Sequence, residues 1–388
     1  MTSRTRRCLV ALVLVGGALM GGGCAGPQGG YSGEALLGEQ VDLDALPRAE
    51  FDWKALWVWI SPTSSRDDVL HMVDLAADCG FNVIIVNTGH RGVASYKSRY
   101  FPMAEGQTID VLGEAIAAAH QRDLQVYAWV TYLYNSGVGT FQKEHPDHLQ
   151  VLLPEEEALA AAKTRSDPDR VDVQGGSWLC PDRGLTDYER GITDEIVRNY
   201  DLDGVAIDFL GYRNYRACYC DYSKARRADF AKAHPELSEE QVLATFSEQS
   251  LAEFSRQVRQ TVLAAKPRMK LAAHVYPDFD PNPLYGNRLA LDYCGQTIAW
   301  FFKPHWSFER ILERQRAFMA AQGEHVRGNH HVAFIGCRTG DVAKSPERLR
   351  REIRLAGAAG CRCMMFAFHE TLHDDPALAE AVRRELAP

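Results

Sequence analysis

Short stretches rich in β-branched and aromatic residues alternate, from about residue 53 onward, with longer stretches in which apolar residues recur every three or four positions. The first pattern predicts strands and the second predicts helices. Strands are predicted over residues 54–61, 81–88, 124–132, 203–210, 269–276, 296–303, 330–336 and 361–368. Helices are predicted over residues 67–78, 109–121, 185–200, 221–266, 308–322, 346–359 and 375–385.

Each predicted strand is a nearly continuous apolar run, and such strands indicate a parallel sheet that is buried on both faces. Eight β–α units between residues 53 and 388 predict a closed (β/α)8 TIM barrel, an α/β fold. A doubly wound open sheet is the alternative, but no G-x-G-x-x-G or P-loop motif follows any strand, so no nucleotide cofactor is expected. Residues from about 135 to 178, after strand three, are predicted to form a long irregular insertion.

The N-terminus has the pattern of an export signal. Three arginines precede an apolar run over residues 8–20, which is shorter than the ~20 residues that span a bilayer. Small residues then lead to Cys24, as in a bacterial lipobox, although Gly21 stands where leucine is usual. We expect a lipoprotein signal peptide over 1–23 with lipidation of Cys24, a flexible tether over 24–52 and the barrel over 53–388. A plain secretory signal with a chance cysteine is the alternative.

The charge balance limits the possible partners. The formal net charge is −8, and it becomes more negative if the basic signal segment is removed. A chain of this charge is not attracted as a whole to nucleic acid or to an anionic membrane surface. We therefore expect no nucleic-acid partner, and we expect contact with a membrane only through the lipidated Cys24.

Eight of the ten cysteines lie outside the signal segment. Cys218 and Cys220 form a C-x-C motif, but a metal site needs two more ligands, and Cys180 is the only near candidate. Cys361 and Cys363 share one face of a predicted apolar strand, which favours buried thiols. On these grounds no metal is expected.

A TIM barrel places its active site at the C-terminal ends of its strands. In this chain those ends combine aromatic rings with hydrogen-bonding groups, which suits a sugar because pyranose rings offer C–H faces and hydroxyls. The alternative is that the aromatic residues only fill the interface between barrel and helices. The predicted substrate-binding residues are Trp59, Asn87, His90, Arg91, Trp129, Tyr212, His274, Tyr276, Lys303, His305, Trp306 and Arg338.

Asp208 is the sharpest candidate for a catalytic residue. Strand alternation places Gly204, Ala206 and Asp208 on one face, so two small residues lead to a carboxylate at the barrel mouth. Burial without a cation raises the pKa of such a group, which suits a general acid. The alternative is a structural salt bridge to Lys303 or Arg338.

Cleavage of a glycosidic bond normally needs a second carboxyl group. Glu370 is in phase with Phe366 and Phe368 on predicted strand eight, and Asp278 is in phase with His274 on strand five. Both remain candidates for the partner of Asp208. His274 is interpreted either as a residue that binds a sugar hydroxyl or orients a carboxylate, or as a core histidine.

Several segments resemble the bacterial glycoside hydrolase-like family 10 proteins, which are commonly exported or lipid-anchored. The resembling segments are ALWVWIS, NVIIVNTGHRGVASYKSRYFP, LQVYAWV, WLCPDRG and IVRNYDLDGVAIDFLGY. The resemblance implies a TIM barrel in which Asp208 matches the acid of strand four and residues 87–96 match a loop on the substrate side. Members of that family often carry a further cysteine after the C-x-C motif, where this chain has Ser223.

The residues and the resemblance together favour a cell-envelope glycoside hydrolase that cleaves a polysaccharide by carboxylate acid/base catalysis, without nucleotide, flavin or metal. One alternative is a non-catalytic glycan-binding lipoprotein on a degenerate barrel. Another is a metal-dependent polysaccharide deacetylase, which needs an Asp/His/His set that the predicted strand ends do not supply.

Overall fold

The computed structural model describes residues 45–62, 64–90, 93–135, 140–162, 176–275, 282, 284–299, 305–321, 329–339 and 342–387. The predicted signal segment, Cys24 and most of the predicted tether lie outside these ranges. The described residues all fall within one compact unit, residues 41–388.

Eight parallel strands close into a barrel, which confirms the predicted (β/α)8 TIM fold. In their order around the barrel, β1 pairs with both β2 and β8, and each remaining strand pairs with its neighbours in sequence. The strands are β1 (Trp53–Val58), β2 (Val83–Asn87), β3 (Gln125–Val130), β4 (Gly204–Ile207), β5 (Lys270–Val275), β6 (Tyr293–Ala299), β7 (His330–Gly336) and β8 (Cys363–Ala367).

Helices surround the barrel, and their N-termini carry the expected signals. Ser65, Thr186 and Ser238 each form a capping box at the start of a helix. None of the helices in the described part of the chain is long and apolar enough to cross a bilayer. The helices are α1 (Arg66–Asp78), α2 (Val111–His120), α3 (Thr140–Glu144), α4 (Pro154–Ala162), α5 (Asp187–Asn199), α6 (Asp221–Ala233), α7 (Glu239–Ala265), α8 (Phe308–Ala321), α9 (Pro346–Ala358), α10 (His369–Asp374) and α11 (Pro376–Leu386).

Three sequence predictions differ from the structure. The insertion after β3 is not irregular throughout, because it contains α3, α4 and a pair of antiparallel two-residue strands, Tyr134–Asn135 and Ser177–Trp178. The predicted helix over 221–266 is two helices, and Pro235 lies in the break, where it cannot continue a helix. Strand six was expected at 296–303, whereas β6 begins at Tyr293 and ends at Ala299.

Side-chain size varies around the barrel lumen. Large rings from three strands, Trp57, Tyr127 and Phe334, share the lumen with small residues such as Ala206 and Ala272. Gly204 begins β4 directly beneath a ring: a Cβ there would lie 2.5 Å from the ring of Tyr127. The small residues of β4 therefore make room for the aromatic residues of the neighbouring strands, and they lead up to the mouth of the barrel at Asp208.

Candidate functional site

Asp208 follows β4 directly, at the C-terminal mouth of the barrel. The ladder with β3 continues through it, because its backbone N–H donates to the Val130 carbonyl at 3.1 Å. The next residue, Phe209, has a φ of 55°, in the left-handed region that residues with a side chain rarely adopt. The chain changes direction there, and the Asp208 residue, at the end of the strand, is 6% exposed.

Residues from three strands form a hydrogen-bonded chain that ends on Asp208. Its Oδ1 accepts from the Phe209 backbone N–H at 2.9 Å and lies 3.1 Å from His274 Nδ1. His274 Nε2 lies 2.6 Å from the hydroxyl oxygen of Thr297, and the imidazole stacks on Phe334 with the ring centres 4.0 Å apart. With the proton on Nδ1, the imidazole donates to the carboxylate and accepts from the threonine hydroxyl. His274 therefore orients Asp208, and Oδ2 accepts no hydrogen bond from the described residues.

Aromatic side chains form one wall of the mouth. Trp57 and Trp129 meet edge to face with centroids 4.5 Å apart, and Trp59 packs against Trp129 at 6.0 Å. Phe368, just after β8, stacks on Trp129 at 5.9 Å with the rings nearly parallel. The indole N–H groups of Trp57 and Trp129 are buried without a hydrogen-bond partner among the described residues. Buried donors of this kind are normally satisfied, so these two N–H groups retain an unused capacity for hydrogen bonding at the barrel mouth.

Glu370 lies in the first turn of α10, three residues beyond the end of β8. The expectation that it extends strand eight was therefore wrong, because the chain becomes helical after Phe368. Burial raises the pKa of Glu370 to about 7, and nearby Asp374 also raises it. Its Oε2 is buried without a hydrogen-bond partner in the described part of the chain. The adjacent imidazole of His369 has its pKa lowered to about 4, mainly by burial.

The two carboxyl groups come from opposite sides of the barrel. In the strand order, β4 and β8 face each other, and the Trp129–Phe368 stack joins the side of β3 to the side of β8. Asp208 accepts from two N–H donors, an arrangement that suits a charged acceptor. Glu370 retains its proton up to near neutral pH. An acidic side chain that accepts two N–H bonds and a carboxyl group with a raised pKa thus follow opposite strands of the barrel.

Two predicted substrate-binding residues are buried in other contacts. Asn87 ends β2 and is 2% exposed; its Oδ1 accepts from the Ile60 backbone N–H at 2.6 Å. Tyr212 is 1% exposed, and its hydroxyl donates to Asp182 at 2.5 Å. In this structure the Asn87 side-chain oxygen and the Tyr212 hydroxyl hold neighbouring loops of the barrel mouth, and a role of either residue in binding a substrate stays a prediction.

The predicted residues after β6 and β7 lie in different surroundings. Trp306 is buried, and the guanidinium groups of Arg310 and Arg314 lie over its ring. Burial lowers the pKa of His305, and neighbouring cationic side chains lower it further. Arg338 is exposed in a short hairpin after β7. Among the described residues, His274 is the titratable side chain that contacts the Asp208 carboxylate. A salt bridge from Asp208 to Arg338 was one alternative that the sequence left open.

Some predicted residues lie wholly or partly outside the described part of the chain. For His90 the structure describes only the backbone, in a two-residue strand that pairs with Val93–Ala94. The predicted residues that lie outside the described residues are Cys24, Arg91, Tyr276, Asp278 and Lys303.

Three residues of this region were not identified from the sequence. Thr297 lies on the same face of β6 as Tyr293. Strand alternation would have identified it if the predicted strand had begun at residue 293 rather than at residue 296. No pattern in the sequence identified Phe368 as a site residue, because the ring that it stacks on, Trp129, belongs to a distant strand. Asp182 follows Cys180 in a 3-10 turn, Pro181–Arg183, and only the tertiary contact with Tyr212 reveals it.

Two groups of three metal-type ligands occur in the described part of the chain, each with its ligand atoms within 4.8 Å of one another. Neither group includes Asp208 or Glu370. The groups are Cys180, Cys218 and Cys220, which are buried, and His145, Asp147 and His148, which are partly exposed.

A family model for hypothetical glycosyl hydrolase 6 matches residues 68–209. The match runs from α1 to the residue after Asp208 and includes β2, β3 and β4. No curated protein matches the chain. The match supports a glycoside hydrolase-like protein, while the predicted membership of family 10 is not confirmed.

Solved structures with similar folds include three glycoside hydrolases. Alpha-L-fucosidase isoenzyme 2 from Paenibacillus thiaminolyticus is 20% identical with a TM-score of 0.57, over 86% of this chain and 49% of that one. The glycoside hydrolase domain of PgaB (BpsB) from Bordetella bronchiseptica is 15% identical with a TM-score of 0.61, over 88% and 99%. The β-galactosidase from Rahnella sp. R3 is 13% identical with a TM-score of 0.59, over 89% and 56%. This chain thus spans about half the length of the fucosidase and the β-galactosidase, and the likeness establishes the TIM-barrel fold that it shares with these enzymes.

Proposed function

We propose that this protein is a glycoside hydrolase that cleaves glycosidic bonds within a polysaccharide, with Asp208 at the reaction centre. The observation that carries the proposal is the placement of this carboxylate: it lies at the C-terminal mouth, and both hydrogen bonds from the described residues fall on Oδ1. His274 and Thr297 fix its orientation, and Oδ2 remains for a substrate. Such fixed orientation is what an attacking or proton-accepting group requires.

The surroundings of the two carboxyl groups suggest a division of roles. Glu370, with a pKa of about 7, holds its proton near neutral pH and suits the general acid that protonates the leaving oxygen. Asp208 then acts as the nucleophile or as the base that activates water. A carboxylate separation of ~5–5.5 Å accompanies retention and ~6.5–9.5 Å accompanies inversion, so the anomeric configuration of the first product decides between the two. Asp278 is the alternative partner.

The aromatic wall supplies the binding surface in this proposal. Trp59, which is partly exposed, offers a ring face to a sugar, and the N–H of Trp129 beside it offers a donor to a hydroxyl. Aromatic stacking combined with a few hydrogen bonds suits a neutral polymer, in keeping with the negative net charge of the chain.

A substrate screen with paired variants tests the proposal. Envelope and plant polysaccharides are incubated with the purified protein, and released reducing ends and retained binding are measured. Asp208→Asn is expected to reduce release to background while binding stays within a few fold. Asp203→Asn is the matched control, because Asp203 precedes the same strand at the opposite end of the barrel. Release by Asp208→Asn equal to that of the parent would remove Asp208 from the mechanism.

A non-catalytic glycan-binding role is the second candidate. One observation favours it: among the described residues, Asp208 is the only carboxylate within two residues of the C-terminal ends of β4 to β7. In that case the screen gives binding without release for the parent and for Asp208→Asn alike. Release of acetate without new reducing ends would instead indicate a deacetylase.

We also propose that the protein is exported and held at the cell envelope through a lipid on Cys24. The support is the sequence pattern of residues 1–24. Expression with a labelled fatty acid is expected to label the parent and not Cys24→Ser, and the parent alone is expected to enter the detergent phase. Equal labelling of both forms would contradict the assignment.

A further inference from the structure

Three cysteine side chains converge beside the loop that follows β4. Cys180 lies after the insertion, whereas Cys218 and Cys220 precede α6, and all three are buried. Their sulfur atoms lie within 4.8 Å of one another, and those of Cys180 and Cys220 are 3.9 Å apart. Zinc–thiolate bonds of ~2.3 Å in tetrahedral geometry place the sulfurs about 3.8 Å apart. The separation between Cys180 and Cys220 therefore matches one edge of a zinc tetrahedron, and the sulfur of Cys218 lies within 4.8 Å of both.

A carboxylate with an unsatisfied oxygen lies next to this triangle. Asp182 is 8% exposed, and its Oδ1 accepts from the Tyr212 hydroxyl. Its Oδ2 is buried and has no hydrogen-bond partner among the described residues. The side chain is close enough to Cys180 and Cys220 for their charges to interact. Burial raises the pKa of Asp182, hydrogen bonding from Ser223, Tyr212 and Ser250 opposes that effect, and a cation held by the neighbouring cysteines would further stabilise the charged carboxylate.

Hydrogen-bond donors surround the sulfur atoms. The backbone N–H groups of Val151 and Cys220 both donate to Cys218 Sγ at 3.5 Å, and that of Ser223 donates to Cys220 Sγ at 3.5 Å. The Ser223 hydroxyl lies 3.1 Å from Cys180 Sγ and 3.2 Å from Cys220 Sγ. Donors of this kind orient metal-bound thiolates and offset their negative charge. Ser223 thus belongs to the shell around the ligands.

We propose that Cys180, Cys218 and Cys220 bind one Zn²⁺ ion, with the Asp182 carboxylate next to the site. Three thiolates fit a borderline-soft divalent ion, and one further oxygen ligand completes the four-coordinate geometry of zinc. Binding displaces the thiol protons to solvent, without any redox change. The ion joins the 3-10 turn after the insertion to the segment between β4 and α6, the segment that begins at Asp208.

Metal analysis of the full-length protein tests the site. The protein is expressed without a polyhistidine tag, kept under reductant and analysed by elemental mass spectrometry. About one zinc ion per chain is expected for the parent. Cys180→Ser and Cys220→Ser are expected to reduce zinc to background, while Cys79→Ser, a buried cysteine at the end of α1, is expected to retain it.

A second measurement avoids dependence on variants that fail to fold. Replacement of zinc by Co²⁺ in the parent is expected to give the intense sulfur-to-cobalt absorption and the visible bands of a tetrahedral site. If the reduced parent takes up neither zinc nor cobalt on reconstitution, or if Cys79→Ser loses zinc to the same extent as Cys180→Ser, the proposal is wrong. Neither readout involves polysaccharide cleavage, so the site and the proposed hydrolase are tested separately.

The role of Asp182 has its own test. X-ray absorption of the zinc-loaded parent is expected to fit three sulfur ligands and one oxygen or nitrogen ligand. Asp182→Asn is expected to weaken zinc affinity by about 10–100-fold, measured by competition with a chromophoric chelator. Unchanged affinity in Asp182→Asn would show that this carboxylate does not act on the ion, and a fit with four sulfur ligands would overturn the three-cysteine site.

Discussion

The chain from Thr297 through His274 to Asp208 allows a graded prediction about catalysis. His274→Phe keeps a ring that can stack on Phe334 but removes the Nδ1 donor that contacts Asp208 Oδ1 at 3.1 Å. A hydrogen bond to a charged group contributes about 1.5–3 kcal/mol. If its full value acts in the transition state, kcat/KM falls by about 10–150-fold. The loss is expected in kcat rather than in KM, since His274 is buried behind the carboxylate.

Thr297→Val is expected to have a smaller effect of the same kind. It removes a neutral hydrogen bond to His274 Nε2, which contributes about 0.5–1.5 kcal/mol, so kcat/KM falls by about 2–12-fold. Since Val preserves the shape of Thr, protein stability is measured alongside by denaturant unfolding. The order of rates is therefore parent, Thr297→Val, His274→Phe and then Asp208→Asn.

The assay is steady-state release of reducing ends from the polysaccharide identified by the substrate screen, with a pH profile for each variant. His331→Phe is the matched control, because His331 is also a buried histidine with a side-chain partner, Gln315, but lies at the opposite end of the barrel. A His274→Phe rate within about threefold of the parent would refute the orienting role. An equal loss in His331→Phe would show that the effect is general damage to the barrel.

Three further predictions concern Glu370, Gly204 and Glu352. Glu370→Gln is expected to remove the fall in activity that the parent shows above a pKa of about 7. The folded protein holds this proton more tightly than the unfolded chain does. The parent is therefore expected to lose stability between about pH 4.5 and 7, whereas the variant is not. Gly204→Ala is expected to lower the free energy of unfolding by about 1–3 kcal/mol, measured in urea, since the new Cβ would lie 2.5 Å from the Tyr127 ring. Glu352→Gln is expected to cost about 3–5 kcal/mol in the same assay, because it leaves the fully buried Lys344 ammonium without its carboxylate.

Each of these predictions has a control in the same chain. Asp374→Asn changes an exposed carboxylate on α10 and is expected to leave the alkaline limb in place, so its loss in this variant would contradict the assignment to Glu370. Gly211→Ala adds a Cβ with nothing within 4 Å, and a cost equal to that of Gly204→Ala would contradict the packing argument. Glu347→Gln alters a half-exposed carboxylate on α9, and a loss as large as that of Glu352→Gln would contradict the burial argument.

Strand periodicity carried much of what could be predicted from the sequence. The period of two placed Asp208 and His274 toward the lumen, because the sides of a strand alternate whatever the rest of the fold does. The same rule failed at Glu370, since the chain becomes helical after Phe368 and a parity drawn from strand geometry no longer applies. It missed Thr297 because strand six was predicted at 296–303, which put Thr297 at the start of the strand instead of near its C-terminal end. Element boundaries are the least reliable part of such predictions.

The residues that could not be predicted are those that join distant segments. Tyr212 and Asp182 are 30 positions apart, and nothing local in either segment indicates that a hydroxyl will meet a carboxylate. The C-x-C motif of Cys218 and Cys220 is visible in the sequence, but the sequence does not show that the Cys180 sulfur lies within 4.8 Å of both of their sulfurs. Loop-to-loop contacts depend on how the barrel brings the ends of its strands together, and that information lies in the fold as a whole.

The segment after β4 is held from both of its ends, and this explains how it maintains an unfavourable backbone conformation. The left-handed φ of Phe209 costs about 1–3 kcal/mol in a residue with a side chain, and surrounding contacts must offset that cost. On one side the Asp208 carboxylate accepts from the Phe209 N–H and from His274. On the other side Tyr212 bonds to Asp182 beside the cysteine triangle. A zinc ion in that triangle would therefore act on Asp208 through the loop, by restricting the conformations that compete with the strained one.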